Sequence, residues 1–337
     1  MKNPKVSILI PCLNGEKSIA HSINSMVNQD YKGKIEIIVA DGNSIDNTIN
    51  ILKQFQNEKI KNREIILLNN PKKSTAIGRN ICLFNATGKY SLNFSSHMFL
   101  SQKDIITKFV NELENLPEKI IAVGANPTNP RKENFIQKIT STLFKSVLAG
   151  ANNLQQNRSN NKKTFVSGLT VGMYRTELLK EQKGFDPKFW VNQDSELHYR
   201  LIKKGYKILF IPNIKISQVK RASLKRLVKQ MFRYGRAIVL RFYKYPKSIH
   251  PFQAGPALFT IYVILTLISL IEFTQLTKLL ISGIVLYTII CLISTLIITR
   301  NLIYILLSPA FYFIMHLSYG IGTIVGIFKP QITTGDG

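Results

Sequence analysis

The chain has 337 residues, enough for one large domain or two ordinary ones, and its 45 Lys and Arg against 19 Asp and Glu leave a net charge of +26. Beyond position 250 there are three basic residues (Lys278, Arg300, Lys329) and two acidic ones (Glu272, Asp336), so the front is basic and the rear apolar. That asymmetry argues against a uniformly soluble protein and points to anionic partners for the front, such as nucleotide phosphates or lipid head groups, and to lipid for the rear.

In chain order, Val6 to Ile10 is a short β-branched apolar run that stops at Pro11, and Ser18 to Met26 carries Ile19, Ile23 and Met26 at helical spacing. Ile35 to Ala40 is a second apolar run, broken by Asp41-Gly42-Asn43-Ser44. A helix from about Asn47 to Phe55 and a strand over Glu64 to Leu68 follow. Residues 74 to 86 read as a helix, and Tyr90 to Phe94 and Ile120 to Val123 as strands. Residues 127 to 163 are polar, with Asn-rich and basic stretches, and read as a mobile connection. A strand at Thr164 to Tyr174, helices near 175–180 and 193–204, and a strand at Lys207 to Ile211 close the domain. Alternating strands and helices, with strands apolar throughout, predict an α/β domain whose mostly parallel sheet is covered on both faces.

Cys12, Cys82 and Cys291 are odd in number, far apart and without metal-ligand spacing, which fits a reducing compartment better than a disulfide framework. The opening Met-Lys-Asn-Pro-Lys shows no signal-peptide pattern, so the front half is expected to stay in the cytoplasm.

Lys215 to Lys247 holds eleven basic residues and no acidic one, with Leu224, Leu227, Val228, Met231, Gly235, Ile238, Val239 and Phe242 on one helical face. This predicts an amphipathic helix at a membrane surface; a solvated basic helix packed on the domain is the alternative. Three apolar segments follow, at 254–272, 279–298 and 302–327. Each reaches, or misses by a residue, the ~20 residues that cross ~30 Å of hydrocarbon, so three crossings are expected. The basic run before the first span puts the front domain on the cytoplasmic side of a multi-pass cell-membrane protein. The predicted parts are a nucleotide-binding domain (1–214), a basic juxtamembrane region (215–250) and a membrane domain (251–337).

Asp41 ends the second predicted strand, where doubly wound sheets bind ligands. Its carboxylate can accept hydrogen bonds from a base or ribose, and Asp46 or Asn47 can N-cap the next helix; a capped turn alone would also explain these residues. The wider arrangement says more. Val6-Ser-Ile-Leu-Ile-Pro-Cys-Leu-Asn14, Ile38-Val-Ala-Asp-Gly-Asn-Ser-Ile-Asp-Asn-Thr48 and Ser74-Thr-Ala-Ile-Gly-Arg79-Asn80 come first. Asn192-Gln-Asp194-Ser-Glu-Leu-His-Tyr-Arg200-Leu, ending in Gly205-Tyr-Lys-Ile, and Gln230-Met-Phe-Arg233-Tyr234 come later. In order and spacing these five elements resemble the family 2 glycosyltransferases over residues 4 to 240, and within them the membrane-anchored exopolysaccharide subgroup of the succinoglycan (ExoA-like) type.

The resemblance implies the GT-A fold, a nucleotide-sugar-binding α/β sandwich, followed here by C-terminal transmembrane helices. It implies inverting transfer of a sugar from a nucleotide-diphosphate donor. Asp194 would be the general base that takes the acceptor hydroxyl's proton, with Glu196 as runner-up; an N-cap is the plainer role for Asp194. Pro11, Asn14, Glu16, Asp41, Ser44, Arg79, Ser95 and Ser96 would line the donor site, with Arg79 neutralising the diphosphate or forming a surface salt bridge on its helix. Gln230, Arg233 and Tyr234 would meet the pyrophosphate or a lipid phosphate. The sequence departs from the family where Asp-x-Asp usually holds a divalent cation: the aligned residues are Ser95-Ser96-His97. His97 is the one candidate ligand there, for Mn2+ better than for Mg2+.

The expected partners are a nucleotide-diphosphate sugar, a polyprenyl-phosphate-linked or other glycan acceptor, and membrane lipid, in polysaccharide or glycan assembly at the cell envelope. A catalytically inactive scaffold that binds nucleotide sugar or lipid is the alternative, motivated by the missing acidic pair. No nucleic-acid reader motif accompanies the basic charge, and no nucleic-acid partner is expected.

Overall fold

The computed structural model describes residues 3–125, 127–128, 133–149, 162–218, 223–271 and 275–329. They fall into two compact units. One contains residues 3–125, 127–128 and 162–218; the other contains 133–149, 223–271 and 275–329. This redraws the expected boundaries, because residues 133–149 leave the front domain and group with the C-terminal helices.

The first unit is built on strands β1 (Val6–Cys12), β2 (Ile35–Asp41), β3 (Arg63–Asn69), β4 (Tyr90–Asn93), β6 (Ile120–Ala125), β8 (Thr164–Phe165), β9 (Val171–Arg175) and β10 (Lys207–Phe210). They form one eight-stranded sheet in the order β3-β2-β1-β4-β9-β6-β10-β8. The pairs β3–β2, β2–β1, β1–β4 and β6–β10 are parallel, while β9 runs antiparallel between β4 and β6. Side chains alternate along each strand. Ile8 and Ile10 of β1 join one core with Ile37 and Val39, under helices α1 (Ile19–Val27), α2 (Thr48–Asn57) and α4 (Ile105–Glu114). Leu9, Ile38 and Ala40 face the opposite core, under α3 (Thr75–Asn85), α6 (Thr176–Glu181) and α7 (Gln193–Lys203). Burial on both faces explains the unbroken apolar runs.

The helices α1 and α2 connect β1 to β2 and β2 to β3 on one face; α3 crosses to β4 on the other. The winding direction therefore switches between β1 and β4, and the loops after these strands flank the crevice at the switch. A small sheet, β5 (Met98–Leu100), β11 (Ile216–Gln218) and β7 (Pro127–Thr128), continues from the β4 loop. The strand expected over 164–174 is two strands in separate places, β8 at the sheet edge and β9 at its centre.

The second unit corrects the mobile connection expected over 127–163. Within it, α5 (Phe135–Leu143) is a helix whose N-cap Asn134 and Gln137 form a reciprocal capping box; residues 129–132 and 150–161 lie outside the described set. Ile139 and Leu143 of α5 pack in one cluster with Leu227 and Met231 of α8 (Leu224–Lys244), Cys291 of α10 (Gln275–Ile298), and Phe311, Tyr312 and Met315 of α11 (Leu302–Phe328). Polar contacts add to this: Ser146 and Ser294 hydroxyls lie 2.7 Å apart, and His316 Nε2 is 2.8 Å from the Leu148 carbonyl. Since that carbonyl can only accept, Nε2 carries the proton, and Nδ1 accepts from Tyr287 Oη at 2.9 Å.

The expected amphipathic face of α8 is used for packing more than for a free surface. Leu227, Met231, Gly235, Ile238 and Val239 are buried, whereas Leu224, Val228 and Phe242 stay exposed. Close approach to α11 is the reason: a Cβ at Gly235 would lie 2.0 Å from the Tyr319 carbonyl oxygen, and one at Gly322 2.1 Å from that of Phe232. Arg236, also buried, donates from Nη2 to the Lys329 carbonyl at 3.0 Å, at the C-terminal end of α11.

Of the three expected crossings, two helices among the described residues have the length. The helix α10 has 24 residues, α11 has 27, and both are long and apolar enough to cross a membrane. The first apolar segment forms only a 15-residue helix, α9 (Gly255–Ser269), about 22 Å at ~1.5 Å per residue and short of the ~30 Å layer. The helix α10 exposes large apolar side chains such as Leu276, Leu279, Val285 and Leu286, surface that water disfavours and lipid accepts.

Candidate active site

The carboxyl ends of β1 and β2 are stitched together by their two loops. Asp41, 4 % exposed, accepts from Ser44 twice, at Oδ2 from the amide (2.8 Å) and at Oδ1 from the hydroxyl (2.6 Å). The Ser44 hydroxyl in turn accepts from the Asn14 amide at 2.8 Å, and Asn14 Oδ1 accepts from the Ile45 amide at 3.0 Å. Glu16 Oε2 accepts from the Asn47 amide at 3.1 Å, and the Glu16 amide donates to Asp46 Oδ2 at 3.2 Å. Asn14 takes φ 49° at this turn, a left-handed conformation that Asn tolerates better than most residues. Asn14, Glu16, Asp41 and Ser44 are thus brought together at one edge of the sheet. Their polar groups first serve each other; a carboxylate has about four acceptor positions, so Asp41 retains capacity beyond its two bonds to Ser44.

Pro11 lies past Leu9, where the β1–β4 ladder has its last paired position at Leu9–Asn93, and packs beside α3: a Cβ at Gly78 would sit 3.0 Å from it. Cys12, at the end of β1, is buried, and that burial pushes its thiol up to about 12. It stays protonated at neutral pH and is no thiolate nucleophile.

Ser95, Ser96 and His97 follow β4 across the crevice. Ser96 faces the first loop: a Cβ at Gly15 would lie 3.5 Å from Ser96 Cβ. His97 is exposed, and its Nε2 lies 2.8 Å from the Gln218 side-chain amide of β11. This donor set of one imidazole and two hydroxyls contains no carboxylate, and no group of three His, Cys, Asp or Glu occurs among the described residues. A hard cation prefers several oxygen ligands of which some are anionic, so these side chains do not fit a divalent cation held by the protein alone.

The segment carrying Asp194 is held from α3. Ser74 caps α3 by accepting from the Ile77 amide, which sets the first turns of this helix at the carboxyl end of β3. From the second turn, Asn80 clamps the backbone of Phe185: its Oδ1 accepts from the Phe185 amide at 2.8 Å and its Nδ2 donates to the Phe185 carbonyl at 2.7 Å. Arg79, 4 % exposed, stacks its guanidinium 5.1 Å from the Phe185 ring centroid and forms an ion pair from Nη1 to Asp194 Oδ1. The resemblance puts Arg79 on a diphosphate, with a surface salt bridge as the alternative; the salt bridge exists, but its Arg79 end is buried, its Asp194 end is part-exposed, and its partner is the expected base.

Asp194 sits in the first turn of α7, where a negative charge is favoured by the helix dipole. The plainer reading of Asp194 as N-cap does not hold: Asn192, at φ 59°, occupies the cap without a side-chain hydrogen bond. Asp194 Oδ2 makes no hydrogen bond among the described residues, and the side chain is 29 % exposed. Glu196, the runner-up base, is fully buried and pairs with Arg200 at 3.1 Å. Arg200 also donates to the carbonyls of Gln182 (2.5 Å) and Gly184 (2.6 Å). Glu196 is therefore held in an ion pair inside the fold.

Sequence reasoning missed Asn80, Phe185, His198 and Tyr174. His198 lies one turn after Asp194 on the same helix face; it is buried, 2.6 Å from the Tyr174 hydroxyl, and accepts at Nδ1 from the Leu169 amide at 3.4 Å. Burial pulls its pKa down to about 4, so the ring is neutral at pH 7. The i, i+4 spacing from Asp194 was the available signal. Gln230, Arg233 and Tyr234 lie in the other unit, on α8, where Gln230 Nε2 donates to the Tyr234 hydroxyl at 2.9 Å.

Comparison with known proteins agrees with this architecture. The family model described as Glycosyl transferase family 2 matches residues 7–182, and that of Glycosyl transferase family group 2 matches residues 101–325. A relative from Methanococcus voltae, dolichyl N-acetyl-alpha-D-glucosaminyl phosphate 3-beta-D-2,3-diacetamido-2,3-dideoxy-beta-D-glucuronosyltransferase, is 31 % identical over 97 % of this chain and 98 % of its own length. The succinoglycan biosynthesis protein ExoA of Rhizobium meliloti is 28 % identical over 71 % of this chain and 70 % of its own. Among solved structures, the mannosyltransferase PcManGT from Pyrobaculum calidifontis, in complex with GDP-Man and Mn2+, superposes with TM-score 0.67 at 15 % identity, covering 98 % of this chain and 88 % of that one. That likeness is one of fold.

Proposed function

This chain belongs to the glycosyl transferase family 2, and from that premise we propose that it is an inverting transferase that moves a sugar from a nucleotide-diphosphate donor to a lipid-linked acceptor at the cytoplasmic face of the membrane. The observation that carries this reading is the Asp194 carboxylate. It is anchored through Oδ1, open at Oδ2, and tied by Arg79 to the helix that leaves the carboxyl edge of the sheet, the edge where Asp41 and Ser44 lie.

In the proposed reaction Asp194 Oδ2 takes the proton from the acceptor hydroxyl. The hydroxyl oxygen forms a bond to the anomeric carbon from the face opposite the leaving group. The bond from that carbon to the nucleoside diphosphate breaks, its electron pair leaving with the phosphate oxygen, and the anomeric configuration inverts. The Methanococcus relative's name specifies a dolichyl-phosphate-linked acceptor, which supports a lipid-linked acceptor here. So do the two apolar helices and the basic helix α8, whose cations attract anionic lipid. On the same reading Gln230, Arg233 and Tyr234 of that helix meet a lipid phosphate, and the catalytic unit of a multi-pass protein faces the cytoplasm. A divalent cation, such as the Mn2+ in the Pyrobaculum protein's complex with GDP-Man and Mn2+, would here depend on ligands from the donor's own phosphates.

The test is transfer by the purified full-length protein in lipid, with a panel of UDP-, GDP- and dTDP-sugars and polyprenyl-phosphate-linked monosaccharides, in Mn2+, Mg2+ or EDTA. Inverted linkage by NMR and loss of turnover in Asp194→Asn with nucleotide binding preserved are expected. A retained anomeric configuration, or an active Asp194→Asn, would overturn the reading.

A further inference from the structure

We propose that Arg79 is a positioning residue for the base and not a ligand of the donor diphosphate; this rests on the reading of Asp194 as the base. The guanidinium is buried on the Phe185 ring and ion-paired to Asp194 Oδ1. The neighbouring Asn80 holds both backbone polar groups of Phe185, which keeps the ring under the guanidinium. Gly184 makes that clamp possible: at φ +57° it lets the chain turn, and a Cβ there would lie 2.5 Å from Asn80 Oδ1. Arg79 and Asn80 thus act as one device that grips the segment 184–194 from α3, across a sequence separation of 115 residues between Arg79 and Asp194. Drawing Arg79 away to a phosphate would leave Asp194 without its anchor when the acceptor hydroxyl must be met by Oδ2.

The two roles make opposite kinetic predictions. A diphosphate ligand acts on donor affinity, whereas a residue that aims the base acts on the chemical step. Arg79→Lys and the volume-preserving Arg79→Met are compared with wild type for Kd of UDP and GDP by calorimetry, and for kcat and donor KM with the nucleotide sugar that turns over in the panel. A fall in kcat of about a hundredfold, the cost of a misplaced catalytic group, is expected, with KM and nucleoside diphosphate Kd within about twofold of wild type. In the Asp194→Asn background, where no turnover remains to be read, Arg79→Met is expected to leave the nucleoside diphosphate Kd within about twofold of that of Asp194→Asn alone. A Kd weakened tenfold or more in either background, or a kcat preserved within about twofold in Arg79→Met, would overturn the proposal. An Asp194→Asn enzyme that still turns over would instead remove the base assignment. Thermal melts of each variant exclude loss of fold.

Discussion

Replacing Glu196 separates a structural carboxylate from a catalytic one. Its side chain is fully buried and reaches Arg200 at 3.1 Å from Nε and 3.2 Å from Nη2. Glu196→Ala leaves the guanidinium without a counter-ion, and removing one partner of a buried pair costs about 3–5 kcal/mol. Arg200 is not wholly buried, at 19 % side-chain exposure, and it keeps its bonds to the Gln182 and Gly184 carbonyls. These offsets place the expected loss at about 2–3 kcal/mol, a fall in Tm of about 4–12 °C for a domain of this size. The assay is thermal unfolding of the full-length protein in detergent, followed in parallel with turnover at a temperature where the variant stays folded. Substantial activity should survive there. A variant with unchanged Tm and abolished turnover would refute the reasoning and return Glu196 to the candidate bases.

Three further outcomes are expected. Gly184→Ala should lose about 1–3 kcal/mol by denaturation, because the residue sits at φ +57° and its Cβ would meet Asn80 Oδ1; neutrality would mean the turn relaxes without the clamp. His198 is lowered by burial from its ordinary 6.5 to about 4, so between these values the unfolded chain binds a proton that the folded chain does not. Stability is therefore fully present above pH 6.5 and falls towards pH 4, by about 3 kcal/mol at ~1.4 kcal/mol per unit; His198→Gln should flatten this part of a stability–pH profile. Gly235→Leu should drive a side chain into the Tyr319 carbonyl and part α8 from α11, read as loss of folded protein on size exclusion in detergent; a monodisperse, wild-type-like peak would count against the close packing.

Local pattern made the sheet legible. Strands such as Val6–Cys12 and Ile35–Asp41 are apolar on both faces because both faces are covered, and that demand acts on residues adjacent in the chain. The order and spacing of the loop residues Asn14, Asp41 and Ser44 were readable for the same reason: each follows its own strand. The sequence by itself therefore determined the α/β class, the family and the apolar rear. Tertiary structure decided which polar groups remain available. Arg79 and Asp194 are far apart in sequence and each looked like a site residue alone; only folding revealed that they neutralise one another. Glu196 and Asp194 are two residues apart on one helix, and burial sends one to Arg200 and leaves the other open at Oδ2. The polar stretch before β8 likewise hid the helix α5, whose Ile139 and Leu143 pack with Leu227 and Met231, more than eighty residues further on, and with Phe311 and Met315 beyond them. Periodicity records what a residue needs from its neighbours in the chain, whereas charge pairing and insertion packing depend on partners that the chain brings together only when folded.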